Sequence, residues 1–219
     1  MANLPETKKA GTGEKVQTVL KPGPMKHREA GAGLDLAFSR RAPTGDSITR
    51  DICDHCGLIS YDNPKIVVGS VVTFQNKFLL CRRAIEPRKG FWTLPAGFME
   101  QGESVEEGAM REAREEANVK IRIRDLLAVY SIPRLSQVQI MYRADMEAAE
   151  FSAGIESLEV ALFDWADIPW EELAFPSVYW ALIQFHEVKD QAVIAPFGNP
   201  TGEEAMRFPP GRPSELPKS

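Results

Sequence analysis

Apolar and polar positions follow two different periods along this chain. Residues 66–74 (IVVGSVVTF) form a β-branched run, Gln75 and Asn76 suit a turn, and residues 77–81 (KFLLC) return, which predicts a β-hairpin. Residues 91–94 are a short apolar piece stopped by Pro95. Residues 119–130 contain VKIRI, an alternation expected of a strand with one wet face, and residues 137–144 (QVQIMYRA) and 158–165 (LEVALFDW) also read as strands. Two segments carry a helical period instead. Ser104 followed by Glu107 fits a capping box and opens a helix over 104–117. Val178, Ala181, Leu182, Phe185 and Val188 recur at helical spacing, with Ser177 as the N-cap after Pro176. Strands flanked by one early and one late helix predict an α/β fold, an α/β/α sandwich around a mixed β-sheet. The short connections between strands argue against a purely parallel sheet.

The flanks lack this periodicity. Residues 1–50, rich in Lys, Gly, Pro and Ala, are expected to form a disordered leader, and residues 191–219, with Pro209, Pro210, Pro213 and Pro217, an extended tail. A hydrophobic fraction of 43% supports a packed core between them. The net charge of -5 argues against a general nucleic-acid binder. It leaves room for a phosphorylated small substrate, because a bound divalent cation can supply positive charge locally. Three cysteines give no disulfide framework and point to a reducing compartment. Glu6 and Glu14 among the N-terminal lysines fit a transit peptide poorly, and no apolar run approaches a membrane span, so a cytoplasmic protein without a membrane partner is expected.

The chemistry concentrates in residues 94–119, LPAGFMEQGESVEEGAMREAREEANV. At about 100° per residue, with Val105 at zero, Ala109 and Ala113 fall within about 80° and mark the face against the sheet. Glu112 and Glu116 land about 20° to either side of Val105, and Glu115 about 80° away. A helix needing charge only for solubility would place it opposite the alanines. Clustered, partly buried carboxylates repel one another and lose hydration, and a bound Mg²⁺ or Mn²⁺ offsets both penalties. The alternative is an acidic helix face bridged to Arg111 and Arg114, and the helix by itself leaves the two readings level.

The same residues resemble the Nudix box, G-x5-E-x7-R-E-U-x-E-E-x-G-U, with U a bulky apolar residue. Gly97, Glu103, Arg111, Glu112, Glu115 and Glu116 fall on its fixed positions, and Val119 on its final U. Ala113 is smaller than the motif prefers. Asn118 replaces the last glycine, at a position that needs a left-handed backbone, which Asn tolerates best after Gly. The resemblance implies a Nudix domain over 66–190. It also implies that Glu112, Glu115, Glu116 and the Gly97 carbonyl hold metal, and that Arg111 pairs with Glu103 to orient the cluster. It implies attack of metal-activated water on a nucleoside diphosphate derivative.

A wider likeness over about residues 53–188 includes Asn63-Pro64, Trp92 and Leu173-Ala174-Phe175. It is similar to FAD and ADP-ribose pyrophosphatases that carry an N-terminal zinc ribbon, so AMP release from FAD or ADP-ribose is expected, and a homodimer with it. Related enzymes place an extra carboxylate near Glu156, as metal ligand or general base, and Glu159 competes for that place. Arg82 and Arg83 end a strand before the box and could reach substrate phosphate or lie on the surface. Trp92 and Phe98 could stack on a ring, with core packing favoured for Trp92. In the ribbon-like segment 51–65, Cys53 and Cys56 form one knuckle where zinc needs two, so zinc is not expected, and the pair reads as a relic turn or a redox dithiol. The NADH pyrophosphatase signature SQPWPFPxS is replaced by SQVQIMYRA, which argues against dedicated NADH hydrolysis. Other readings are a nucleoside triphosphate sanitiser, a non-catalytic nucleotide-sensing domain and a zinc-ribbon interaction module. The intact glutamate cluster counts against the sensor, and the missing Cys pair against the module.

Overall fold

The computed structural model describes residues 37–202, in two compact units that divide after Tyr61. The first holds three short antiparallel strands, β1 (Phe38–Arg41), β2 (Arg50–Cys53) and β3 (Ile59–Ser60), hydrogen-bonded in that order. This corrects the expectation of disorder through residue 50. Strands this short, with mostly exposed side chains such as FSRR, satisfy their backbone by pairing and leave no apolar alternation to read. Between β2 and β3 the chain turns tightly, with the Gly57 amide donating to Cys53 O at 2.9 Å and the Cys53 amide to Leu58 O at 2.8 Å. Cys53 is buried and Cys56 exposed. The expectations for residues 1–36 and 203–219 lie outside the described residues.

In the second unit the strand signals become β4 (Lys65–Phe74), β5 (Lys77–Arg83), β6 (Trp92–Thr93), β8 (Ile121–Ile132), β9 (Gln137–Met146) and β10 (Ser157–Phe163), and β7 (Ala96–Phe98), where no strand was expected beyond Pro95, joins them. They form one sheet of order β10-β5-β4-β9-β8, with β6 added to β5 and β7 to β4. The β4–β9 pair is parallel and the others are antiparallel, so the sheet is mixed as expected. Gln75 and Asn76 both take positive φ, 49° and 65°, which suits the turn of the β4–β5 hairpin.

The two helices, α1 (Val105–Ala117) and α2 (Pro176–Val188), cover opposite faces of the sheet. Alternation along the strands shows why. Val72, Leu79, Cys81 and Ala144 pack with Ala113 and Ala117 of α1. Val71, Phe78, Leu80 and Met141 pack with Val178, Leu182 and Phe185 of α2. The N-cap of helix α2 lies two residues earlier than the Ser177 its sequence suggested. It is the extended Phe175, without a side-chain hydrogen bond, and Pro176 occupies the first turn. Proline's fixed φ and missing N–H suit that position, which moves Ser177 inside the helix. The described part of the tail is extended and held by β8. The Phe197 amide donates to Leu127 O at 2.8 Å, and Asn199 exchanges two 2.8 Å hydrogen bonds with the Ser131 backbone.

Candidate active site

Helix α1 begins where the capping box predicts. Ser104 Oγ accepts from the Glu107 amide at 3.2 Å, and a Glu107 carboxylate oxygen accepts from the Ser104 amide at 2.8 Å. At the other end Asn118 adopts φ 50° and ψ 32°, the left-handed conformation expected of the residue standing in for glycine. Between these two ends the helix packs over β4 and β7.

Arg111 ties the segment together. Its guanidinium grips Glu103 through two hydrogen bonds of 3.0 and 2.9 Å, as the resemblance implied. It also donates to Phe98 O at 2.9 Å, to Glu112 at 2.7 Å and to Glu115 at 3.0 Å. The Arg111 bonds and the Glu100 amide, which donates to Glu103 at 2.7 Å, hold the Glu103 carboxyl down at about 2. Arg111 is raised further above its ordinary value by its carboxylate partners.

Glu112 and Glu116 are buried, at 7% and 5% exposure, while the Glu115 side chain is 56% exposed. The helical wheel anticipated this arrangement. Burial raises Glu112, with Arg111 opposing. Burial and the charge of Glu112 push Glu116 up to about 8, against the Ala96 amide that donates to it at 3.2 Å. The ion-bridge alternative therefore accounts for Glu112 and Glu115 but not Glu116, which makes no salt bridge among the described residues. Gly97 lets β7 run directly against this wall. A Cβ there would lie 2.4 Å from a Glu112 carboxylate oxygen.

The carboxylates open into a cavity of about 1000 Å³ that Gly97, Phe98, Arg83 and Glu156 also line. Arg83 donates from Nε to Pro87 O at 2.9 Å, and its guanidinium lies 5.2 Å from the centre of the Phe175 ring. The charge of Arg83 acts on Glu116, and that of Glu156 on both Glu112 and Glu116. Two of the alternatives left open by the sequence separate here. Neighbouring residues of a strand face opposite ways, and Arg82, unlike Arg83, is not part of the cavity wall. It donates to Gly90 O at 2.9 Å and pairs with Glu159 at 3.5 Å, so of the two arginines that could reach substrate phosphate or lie on the surface, Arg83 is the one on the cavity wall. Glu159 is thereby occupied outside the cavity, whereas Glu156 faces into it. Trp92 packs edge-on against Phe163 in the core, and Phe98 stands exposed on the cavity rim.

Sequence reasoning missed much of the apolar side of this cavity. Ile132, Met141, Phe175 and Trp180 line it, drawn from β8, β9 and the start of α2. The one signal for them was the Leu173-Ala174-Phe175 segment, noted as a likeness and not as a wall. Among the described residues no group of three or more His, Cys, Asp or Glu side chains is already arranged around a metal position. No helix there is long and apolar enough to cross a membrane.

The NUDIX domain family profile matches residues 63–181. An ADP-ribose pyrophosphatase of Methanocaldococcus jannaschii is 37% identical over 119 residues, covering 52% of this chain and 69% of that protein. The NAD-capped RNA hydrolase NudC of Photorhabdus laumondii subsp. laumondii is 33% identical over 116 residues, covering 52% of this chain but only 43% of that protein. The crystal structure of a NUDIX hydrolase from Nitrosomonas europaea superposes with a TM-score of 0.70 at 46% identity, covering 74% of this chain and 92% of that one.

Proposed function

This chain belongs to the Nudix hydrolase family, and from that premise we propose that it hydrolyses the pyrophosphate bond of a nucleoside diphosphate derivative, ADP-ribose or FAD, and releases AMP. The observation that carries the proposal is the Glu112–Glu116 wall. Two buried carboxylates face a substrate-sized cavity, and among the described residues the one arginine bonded to either of them, Arg111 on Glu112, is shared with Glu103, Glu115 and a carbonyl. The likeness to an ADP-ribose pyrophosphatase over 69% of its length supports the substrate class.

The donor set suits a hard divalent cation. It offers carboxylate oxygens and backbone carbonyls without sulfur or imidazole, which favours Mg²⁺, with Mn²⁺ as a substitute. Glu112, Glu115 and Glu116 would hold it, with the Gly97 carbonyl. Once bound, it would neutralise charge on the diphosphate and lower the pKa of the attacking water. The other roles fall to the chain itself. Arg111, fixed on Glu103, keeps Glu112 and Glu115 oriented. Arg83 meets a substrate phosphate. Glu156, which makes no salt bridge among the described residues, accepts the proton of the attacking water at its carboxylate. Phe98 and Phe175 offer ring faces for the base or second group of the substrate. The expected homodimer is tested by sedimentation velocity, where a single species of monomer mass would remove it.

Incubation with FAD, ADP-ribose, NADH and nucleoside triphosphates in Mg²⁺, with product analysis, tests the reading. AMP from FAD or ADP-ribose is the expected product. Inorganic pyrophosphate from a triphosphate would move the chain to the sanitising class, and tight binding without turnover would make it a sensor.

A further inference from the structure

The segment between β9 and β10 is fastened to the C-terminal end of α1 by a side chain that the family motif does not have. Asn118 stands where the motif has glycine. Its side-chain amide donates to Ser152 Oγ at 3.1 Å, to Ala153 O at 3.2 Å and to Ser152 O at 3.4 Å. Backbone bonds extend the seam. The Ser152 amide donates to Ala117 O at 3.0 Å and the Gly154 amide to Glu116 O at 3.0 Å. Gly154 lies so close that a Cβ would come within 1.7 Å of Glu115 O. Two residues on, Glu156 faces the cavity, and its carbonyl accepts from the Ala84 amide at 2.8 Å. The segment therefore rests on the last turn of the helix that carries Glu112, Glu115 and Glu116.

A glycine at position 118 could supply the left-handed turn but none of the three side-chain contacts. We infer that Asn118 is a positioning residue that pins the 151–156 segment to the end of α1 and so sets Glu156 at a fixed place relative to the glutamate cluster. Phe151 packs against the α1-side core at the head of the segment, but the residues after it are small or polar except Ile155, which is almost fully exposed, so apolar packing contributes little to the placement of 152–156. The catalytic half of the inference rests on the role given to Glu156 above; the structural half does not.

The test is Asn118→Gly, which restores the motif residue and keeps the backbone conformation. Two measurements separate the halves. Amide hydrogen exchange in the full-length variant is expected to show faster exchange at Gly154 with the α1 amides unchanged; unchanged exchange at Gly154 would overturn the positioning role. In steady-state assays with Mg²⁺ and ADP-ribose, kcat is expected to fall about tenfold with KM little altered, as when a group orienting a catalytic residue is lost. Combined with Glu156→Gln, the loss at position 118 should shrink to less than about twofold, because the two residues act as one unit. A full additional loss in the double variant would make Asn118 merely structural. Faster exchange at Gly154 together with an undiminished kcat in Glu156→Gln would leave the anchor standing and remove the catalytic role of Glu156.

Discussion

The Nudix domain carries charge inward on both faces of its sheet, and the two places differ in how that charge is answered. On the α2 face, Arg143 is fully buried but every arm has a partner. It bonds Asp125 through Nε at 2.6 Å and through a second, shorter contact, and donates to Val188 O and Gln191 O at 2.8 and 3.0 Å. Those carbonyls lie at and just beyond the end of α2, where a cation also meets the negative end of the helix dipole. On the α1 face, Glu112 and Glu116 are nearly as deep, yet among the described residues Glu116 has no cation bonded to it, and it is pushed up to about 8 by burial and by its neighbour. Charge answered inside the protein holds structure. Charge left over beside a cavity is available to something that binds there.

The comparison breaks most sharply at Glu115. Glu115→Gln should lower kcat by about two to four powers of ten, the effect expected from removing a metal-centred group. Its melting temperature should stay close to wild type, because the side chain is half exposed. Near-normal turnover in the folded, Mg²⁺-saturated variant would defeat the assignment.

Arg143→Ala should do the opposite. It strands Asp125 and two carbonyls, so unfolding in urea should show a loss of about 3 kcal/mol, while kcat of the molecules that remain folded stays unchanged. A collapse of kcat in the folded variant would mean the two faces are coupled.

Metal removal sharpens the contrast further. Glu116 titrates higher in the folded protein than in the unfolded chain, so without metal it remains protonated after its unfolded counterpart ionises. Its contribution to stability is therefore full below the ordinary carboxylate range and declines as pH rises towards about 8. Metal-free protein should lose melting temperature over that window, Mg²⁺ should restore it, and Glu116→Gln should abolish both effects. Scanning calorimetry with EDTA and with Mg²⁺ reads all three.

The smallest expected effect is on the acid side. Glu103 is held at about 2 by Arg111 and the Glu100 amide. Its share of stability is present above the ordinary carboxylate range and is lost as pH falls from there towards about 2. Glu103→Gln should flatten that limb of the melting curve, and an unchanged limb would show that the pair does not contribute.

Much of the site was legible because it lies on one helix. Within α1 the period of the backbone converts spacing into direction, so Val105, the alanines and the glutamates disclosed which carboxylates would be buried before any neighbour was known. The left-handed turn at Asn118 was legible from the motif it resembles, which has glycine there, since few side chains tolerate that backbone. Of the main sheet, β8 and β9 were readable from alternation and β4 from its β-branched run, whereas the three-residue β7 is too short to carry a period. β1 was not readable either, because its side chains are mostly exposed and its pairing is a matter of backbone alone.

By itself, then, the sequence determined the local geometry of α1, its caps, its carboxylate face and the mixed α/β class, all of which follow from periods of a few residues. Only the tertiary structure decided which of Arg82 and Arg83, and which of Glu156 and Glu159, would face the cavity. β5 and β10 pair with a register shift between Ser157 and Glu159, and no local rule announces where such a shift falls. Tertiary packing also decided that Phe175 and Trp180 of the α2 region would share a cavity with the glutamates of α1. Those residues lie some sixty apart in the chain and share a cavity that Val67 of β4 and Gln139 and Met141 of β9 also line, a contact set by the whole sheet and not by either segment.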